Sequence, residues 1–157
     1  MNLKPLSSSA SAENLDPKAV LEVCLCHNVR RAARVIARRY DSALADTGLT
    51  SGQFAILAAA SAFSSLPIPA LREILAMDRT SLNRTLKPLE QQGLIEISPG
   101  AGRRPGQVIL TAEGAAAFRA ASPAWRAIQV DASQRLGAGR TGQLLSILNG
   151  AVTALHD

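Results

Sequence analysis

Aromatic residues are scarce in this sequence. Phe, Tyr and Trp together make up 3% of the 157 residues, whereas hydrophobic residues as a whole make up 47%. The interior must therefore be built mainly from Ala, Leu, Val and Ile, a mixture that favours closely packed helices. The length suits one domain with enough chain to bury a core.

Cysteine and histidine are also few. Cys24 and Cys26 lie two residues apart, and no second pair completes a four-ligand zinc site. His27 and His156 are the only histidines, so neither a Ser-His-Asp set nor a His/Glu metal spacing is suggested. We therefore expect no enzyme activity, no metal and no cofactor.

No apolar run approaches the roughly 18–20 residues that a membrane span requires. Residues 1–16 contain a Ser run but no hydrophobic stretch of the kind found in secretory signals. We interpret them as a mobile N-terminal arm and expect a cytoplasmic protein with no membrane partner.

Basic residues outnumber acidic ones, with a formal net charge of +5 and a pI near 10.0. This balance favours an anionic partner. Arg greatly exceeds Lys, 14 residues to 3. Arg is the better residue for forked contacts to phosphates and guanine edges, and genomic base composition is the alternative explanation for the excess.

The segment from Asp16 to about Ala45 predicts one long helix. Asp16 is a favourable N-cap and Pro17 suits the first helical position, with nothing afterwards to break the pattern. Such a helix is roughly 40 Å long, too long for one small lobe to cover, so a partner subunit is predicted. Its apolar arc consists of Leu21, Leu25, Val29, Ala32, Ala33, Ile36, Tyr40 and Ala43.

Three shorter helices are predicted next. They span 52–62, with Thr50 or Ser51 as the cap, then 69–76, and then about 79–92. The side chains expected to face the core are Phe54, Ile56, Leu57, Ala60, Leu71, Ile74, Leu75, Leu82, Leu86 and Leu89.

After residue 93 the spacing of apolar residues changes from the helical repeat to the two-residue alternation typical of strands. Residues 94–97 and 107–110 alternate, and the turn-rich basic segment 98–106 joins them into a hairpin wing. An Ala-rich helix capped by Thr111 follows, with a bend expected at Pro123. Residues 137–139 separate it from a last helix, whose apolar face is Leu144, Leu145, Ile147, Leu148, Val152 and Leu155.

These elements define a fold class that is mainly α with a small β-hairpin wing. We expect a single regulator domain over 17–157. Within it, a winged helix-turn-helix lobe spans about 49–111, between dimerisation helices over about 17–46 and 111–156.

Four segments, in this order, resemble the MarR family of winged helix-turn-helix transcriptional regulators. Residues 48–54 are similar to the lead into its second helix, and residues 78–95 to its recognition helix and first wing strand. Arg103 and Arg104 stand where the family carries wing arginines, and residues 110–114 resemble its strand-to-helix junction.

The resemblance covers the chain from about Leu21 onward and implies a homodimeric DNA-binding repressor that recognises a palindromic operator. Gly102 departs from it, because many members place an acidic residue there that tethers the wing. We therefore expect a wing that is looser or anchored in another way.

A recognition helix presents the outward side chains of its N-terminal part to the major groove. Asn83 and Arg84 suit base edges, while wing arginines suit an adjacent minor groove. The remaining predicted contacts suit phosphates. The full set of predicted DNA contacts is Thr80, Ser81, Asn83, Arg84, Lys87, Arg103 and Arg104.

A band of arginines lies on the other side of the first helix. It has two interpretations, an additional DNA surface or anion pocket, and a solvated face paired across the dimer with Glu22, Asp41 or Asp131. We favour the second, because family members dimerise through this helix. The band comprises Arg30, Arg31, Arg34 and Arg38.

The resemblance also implies a small aromatic or phenolic anion as effector, bound between the dimerisation helices and the DNA-binding lobe. The candidate ligand residues are His27, Arg30, Tyr40, Phe54 and Trp125. Packing is the alternative role for Trp125, and a surface or interface position is the alternative for His27.

Two alternatives to a ligand-responsive repressor stay open. Some family members sense oxidants through a cysteine early in the first helix, paired with tyrosines. Cys26, 14 residues before Tyr40, resembles that arrangement of thiol and tyrosine. The second tyrosine of the arrangement is missing, because Ser51 stands at its position. On a continuous helix Cys24 and Cys26 are about 200° apart and do not pair easily, which leaves an intersubunit disulfide, or buried apolar packing, open. The other alternative is a constitutive architectural DNA-binding protein without an effector.

Overall fold

The computed structural model of the chain describes residues 16–63, 65–102 and 104–155. Residues 1–15 of the expected N-terminal arm therefore lie outside the described residues. The chain divides into two compact units, Met1–Arg39 and Tyr40–Asp157.

The N-terminal segment forms two helices where one was predicted. Helix α1 spans Pro17–Val23 and α2 spans Leu25–Leu44. As predicted, Asp16 caps α1, since its carboxylate accepts a 3.0 Å hydrogen bond from the backbone N–H of Lys18. The prediction of an unbroken helix to about Ala45 is wrong, because Cys24 adopts extended backbone with φ −66° and ψ 110°.

Hydrogen bonds around Cys24 stabilise this break. The side-chain amide of Asn28 donates to three backbone carbonyls, those of Leu21, Glu22 and Cys24, at 3.2, 3.1 and 2.9 Å. Carbonyls at a helix end lack partners within the helix, so a side chain that supplies donors favours an end there. The backbone N–H of His27 donates to Cys24 Sγ at 3.4 Å, which makes Cys24 the cap of α2.

A short 3-10 helix, Ala45–Thr47, leads into a helix-turn-helix lobe. Its helices are α3 (Ser51–Ala62), α4 (Ile68–Leu75) and α5 (Arg79–Gln91). Thr50 caps α3 in a reciprocal capping box with Gln53, as one of the two predicted caps. The three predicted helices are therefore confirmed, with ends that differ by one residue.

The core of the lobe follows the predicted apolar positions, with one exception. Ile74 is 53% exposed, so its predicted inward position is wrong. Helix α4 faces the core through Ile68, Leu71 and Leu75, and at 3.6 residues per turn Ile74 lies about 90° from the centre of that face. The buried apolar residues of the lobe are Leu49, Phe54, Ile56, Leu57, Ala60, Leu66, Leu71, Leu82, Leu86, Leu89, Ile95 and Val108.

The described part of the chain contains an antiparallel sheet of three strands. They are β1 (Leu66–Pro67), β2 (Ile95–Ser98) and β3 (Gln107–Leu110), in the order β1-β3-β2. The predicted hairpin of β2 and β3 is confirmed. Strand β1 lies between two predicted helices, where no strand was predicted, because a two-residue strand containing Pro carries no alternating pattern. Pairing of Leu66 with Val108 creates it.

Two long helices follow the sheet. Helix α6 spans Ala112–Leu136 and continues through Pro123, and α7 spans Ala138–Leu155. The predicted cap is confirmed, because Thr111 accepts a 2.9 Å hydrogen bond from the backbone N–H of Gly114. Gly137 alone, with φ 91°, separates the helices, whereas residues 137–139 were predicted to do so. The bend at Pro123 stays a prediction.

The helices at the two ends of the chain expose much of their apolar surface. These side chains include half of the predicted apolar face of the first helix and most of that of the last helix. The large exposed apolar residues of α1, α2, α6 and α7 are Val20, Leu21, Leu25, Val29, Val35, Ile36, Trp125, Val130, Leu136, Leu145, Ile147, Val152 and Leu155.

Among the described residues, no helix is both long and apolar enough to cross a membrane. The same residues contain no group of three or more His, Cys, Asp or Glu side chains arranged to hold a metal ion.

Candidate nucleic-acid interface

Helix α5 begins with a carboxylate that fixes its first turn. Asp78 accepts hydrogen bonds from the backbone N–H of Ser81 at 2.9 Å and from its hydroxyl at 2.6 Å. These bonds favour the ionised form, so the pKa of Asp78 lies below its usual value, with the hydroxyl bond as the larger cause. Asp78 thus orients the N-terminal turn of the predicted recognition helix.

The two sides of α5 differ sharply in exposure. Leu82, Leu86 and Leu89 are fully or almost fully buried against the lobe. The predicted contact residues are on the other side. Thr80, Asn83, Arg84 and Lys87 are exposed, and Ser81 is half-buried. The helix therefore offers one continuous polar, basic face to solvent.

Ser81 differs from the other predicted contacts. Its hydroxyl hydrogen is directed at Asp78, so in this structure the oxygen can accept a hydrogen bond but the hydrogen is not available to a phosphate. Sequence reasoning missed the role of Asp78, although an Asp three residues before Ser81 is a recognisable capping pattern. It also missed the exposed Arg79 at the start of α5.

The wing loop turns at Gly102, the residue that departs from the family pattern. Gly102 has φ 59°, a left-handed conformation that suits glycine. The backbone N–H of Arg104 donates to the carbonyl of Ala101 at 3.0 Å across this turn. Arg104 is exposed, while Arg103 lies outside the described residues.

The base of the wing is anchored without an acidic residue at position 102. The backbone N–H of Ile68 donates to the carbonyl of Gly106 at 2.9 Å. The Ser65 hydroxyl donates to the side-chain carbonyl of Gln107, and β1 pairs with β3 beside it. The wing is therefore held by the strand that the sequence did not reveal.

The predicted ligand residues of the second unit take part in packing. Phe54 is 6% exposed and stacks on Trp125, with ring centroids 5.8 Å apart. It also meets Phe118 at 5.0 Å. The Tyr40 hydroxyl donates to Gln129 Oε1 at 2.6 Å, and burial raises the pKa of Tyr40.

The remaining candidates lie in the first unit. His27 is half-buried and Arg30 is exposed, and Cys24 is half-buried whereas Cys26 is exposed. Because Cys24 is not helical, the predicted separation of the two cysteines by about 200° on one continuous helix is wrong. An open groove of about 650 Å³ runs along α6. Its described lining residues are Arg119, Ser122, Pro123, Arg126, Ala127 and Val130. None of the predicted ligand residues is among them.

Comparison with known proteins agrees with this architecture. The MarR family model matches residues 47–104. The uncharacterized HTH-type transcriptional regulator YwoH of Bacillus subtilis is 28% identical over 89 residues, which span 57% of this chain and 65% of that relative.

Solved structures cover more of the chain. The M. tuberculosis transcriptional regulator MosR, in complex with DNA, is 34% identical with a TM-score of 0.73, and the alignment covers 85% of this chain and 99% of that one. An E. coli MarR mutant, complexed with operator DNA, is 21% identical with a TM-score of 0.72, covering 84% and 96%; at that identity it supports the fold alone.

The helix-turn-helix lobe with its wing defines a DNA-binding transcriptional regulator. The chain belongs to the MarR family, whose members are transcriptional regulators and not enzymes.

Proposed function

We propose that this chain is a homodimeric repressor that recognises a palindromic operator through α5 and the wing. The observation that carries the proposal is the exposed polar face of α5, opposite a fully buried apolar face. Such a helix is fixed on the lobe and presents its N-terminal side chains outward, as base readout requires. The DNA in the MosR complex supports the same role for this chain.

Roles within the interface follow from side-chain chemistry. Arg84 and Asn83 make forked contacts to guanine and adenine edges in the major groove. Thr80, Ser81 and Lys87 contact phosphates, which fix position without reading sequence. Ser81 does so through a bridging water that donates to its hydroxyl oxygen, because its hydroxyl hydrogen is held by Asp78. Arg103 and Arg104 of the wing enter the minor groove next to the major groove that α5 occupies.

Dimerisation is proposed through the terminal helices, over about 17–46 and 111–156, with the DNA-binding lobe over about 49–111. The exposed apolar side chains of these helices support this, since soluble monomers rarely leave large apolar patches uncovered. Leu155 and Ile147 of α7 are 73% and 68% exposed in the single chain. A two-fold dimer places two recognition helices about one DNA turn apart, and its operator is a palindrome.

Selection of preferred duplexes from a random DNA pool tests the operator directly. We expect one palindromic sequence with half-sites about one turn apart. Similar affinity for all duplexes would favour the architectural alternative, and no binding at low salt would exclude both.

The variant Arg84→Ala tests the base contact. It should weaken operator binding by about 1–3 kcal/mol and relax specificity at one base position. Arg140→Ala, which removes an exposed arginine of α7, serves as the matched control and should leave specificity unchanged. Equal weakening by Arg84→Ala on all sequences would make Arg84 a phosphate contact.

Release of the operator by a small aromatic or phenolic anion is the proposed signal. The support is chemical: arginines and aromatic side chains suit such an anion. The proposed contacts remain those predicted from the sequence, His27, Arg30, Tyr40, Phe54 and Trp125. Phe54 is 6% exposed and stacks on Trp125. A panel of phenolic and benzoic acids should raise the melting temperature and release the operator; a broad panel without either effect would refute this signal.

A thiol-based oxidant sensor is the second candidate, and the position of the cysteines supports it. Cys24 Sγ accepts the backbone N–H of His27 at the start of α2, and Cys26 is exposed. Oxidation of a thiol requires access to solvent, a condition that Cys26 meets. Cys26→Ser should bind the operator yet lose its response to peroxide, with Cys24→Ser as the comparison. An unchanged response in both variants would exclude the cysteines.

A further inference from the structure

Arginine is concentrated on one helix outside the proposed DNA interface. Residues 30–39 of α2 contain five of the 14 arginines, whereas residues 25–40 contain neither Asp nor Glu. Exposed helices are usually stabilised by mixing both signs of charge at neighbouring positions. This stretch of α2 carries one sign only.

The charges form a narrow line along the helix. At about 100° per residue, His27 and the arginines at positions 30, 31, 34 and 38 fall within an arc of roughly 100°, and Arg39 lies outside it. Arg30, Arg34 and Arg38 follow one another at intervals of about 6 Å along the axis. The arginines are exposed and His27 is half-buried. We name this set the basic stripe, and it consists of His27, Arg30, Arg31, Arg34 and Arg38.

The stripe is not compensated within the described part of the chain. Its four arginines form no ion pair there. Of the three carboxylates considered as partners, Asp41 accepts the backbone N–H of Ser51 at 2.7 Å and Asp131 pairs with Arg135 at 2.8 Å. The third, Glu22, is exposed and pairs with none of these arginines within the described residues. Like charges at i and i+4 destabilise a helix, so the stripe lowers the stability of α2 unless an anion binds to it.

The stripe is also placed to stay accessible in a dimer. Three of the four large exposed apolar residues of α2, Leu25, Val29 and Ile36, lie on the opposite side of the helix, about 180° from the middle of the stripe, and Val35 lies at its edge, about 40° from Arg31. A partner subunit that covers this apolar side leaves the stripe facing solvent.

We propose that the basic stripe is a second nucleic-acid surface, which binds backbone phosphates without reading base sequence. Guanidinium groups bind phosphate oxygens with paired hydrogen bonds, and a line of exposed arginines without carboxylates suits a regularly spaced polyanion. This inference rests on the proposed function, because it gives the same regulator an additional contact with DNA. The DNA is either the flank of the operator duplex or a second duplex.

A salt titration of the full-length dimer tests the proposal. The stripe variant combines Arg30→Gln, Arg34→Gln and Arg38→Gln, and the control combines Arg119→Gln, Arg126→Gln and Arg140→Gln, three exposed arginines that remove the same charge. Affinity is measured on a short operator duplex and on the same operator with long flanks. Retention of a labelled non-operator duplex by operator-bound dimer is measured in parallel.

The stripe variant should bind the short operator like the control. If the stripe binds the operator flank, the variant's plot of log affinity against log salt on flanked DNA should be shallower by about 0.9 for each phosphate that it no longer binds. If the stripe binds a second duplex, the operator-bound variant should fail to retain the labelled non-operator duplex. Behaviour equal to the control in both assays would overturn the proposal. An absence of operator preference in the wild-type protein would instead overturn the proposed function. In that case the affinities of the stripe variant and the control for non-operator DNA would still test the stripe.

A folding control accompanies these measurements. Because the substitutions remove like-charge repulsion, the melting temperature and helix content of the stripe variant should equal or exceed those of the wild-type protein. A fall in either would mean that the arginines stabilise α2, which contradicts the proposal.

Discussion

Two regions of the chain differ in the burial of their apolar side chains. One is the lobe between Leu49 and Leu110, and the other is the set of helices at the two ends of the chain. Most of the buried apolar residues belong to the lobe. Of the 15 large apolar residues that are exposed among those described, all but Phe63 and Ile74 belong to α1, α2, α6 or α7. The lobe has its own core, whereas the terminal helices leave exposed apolar surface that the proposed partner subunit would cover.

The largest expected effect tests the first half of this comparison. Leu82 on α5 is fully buried, so Leu82→Ala should lower the free energy of unfolding by about 2–5 kcal/mol through reduced burial and a cavity. Urea unfolding measures the change. Because the cavity lies inside one lobe, its effect should not depend on protein concentration.

A substitution in α7 tests the second half. Ile147→Asp places a charge on a side chain that is 68% exposed in the single chain, so the fold should persist while the dimer dissociates. We expect the dimer dissociation constant to rise about tenfold or more, equivalent to at least about 1.4 kcal/mol, in sedimentation equilibrium. Ser146→Asp, on the polar side of α7, adds the same charge. If Ile147→Asp dissociates no more than this control, the apolar face of α7 is not an interface.

Sequence patterns predicted the parts of the lobe that depend on local chemistry. Thr50 and Thr111 are side chains whose capping role depends only on residues a few positions away. The buried side of α5 follows in the same way from its helical period. The exposed side of α5 could therefore be assigned residue by residue.

The features that were missed depend on contacts between distant residues or on unusual side-chain geometry. Strand β1 exists because Leu66 pairs with Val108, 42 positions later, and two residues give no period. The break at Cys24 contains neither Gly nor Pro; it depends on Asn28, whose amide reaches three carbonyls. Neither signal is visible in a pattern of apolar residues.

An intermediate effect is expected where the lobe joins the long helix. A Cβ at Gly114 would lie 1.9 Å from the carbonyl oxygen of Leu94, a backbone atom that also accepts the N–H of Thr111 at 3.3 Å. Gly114→Ala should therefore destabilise the protein by about 1–3 kcal/mol through overpacking.

Gly142 is the matched control for this junction. It lies within α7, where a Cβ would meet nothing within 4 Å. Gly142→Ala should stabilise the protein by about 0.5–1 kcal/mol, because alanine favours the helix. Thermal unfolding of both variants should give shifts of opposite sign, and shifts of the same sign would contradict the crowding at Gly114.

The smallest effect concerns the cap of α5, the proposed recognition helix. The pKa of Asp78 is lowered from its usual 3.8 by hydrogen bonds from Ser81, so folding favours the ionised carboxylate. Its contribution to stability is complete above the unfolded-state pKa and is lost as the pH falls through the lower folded-state pKa. The effect is small because Asp78 is fully exposed and water screens it.

Asp78→Asn retains a side-chain oxygen that accepts hydrogen bonds but removes the titrating charge. The urea midpoint of this variant should therefore change less than that of the wild-type protein as the pH falls below 3.8. Asp46→Asn, which removes an exposed carboxylate from the 3-10 helix, is the control for the loss of one negative charge. Parallel curves for the wild-type and Asp78→Asn proteins would mean that the hydrogen bonds to Ser81 do not depend on the charge, and that the first turn of α5 is held by the lobe rather than by its cap.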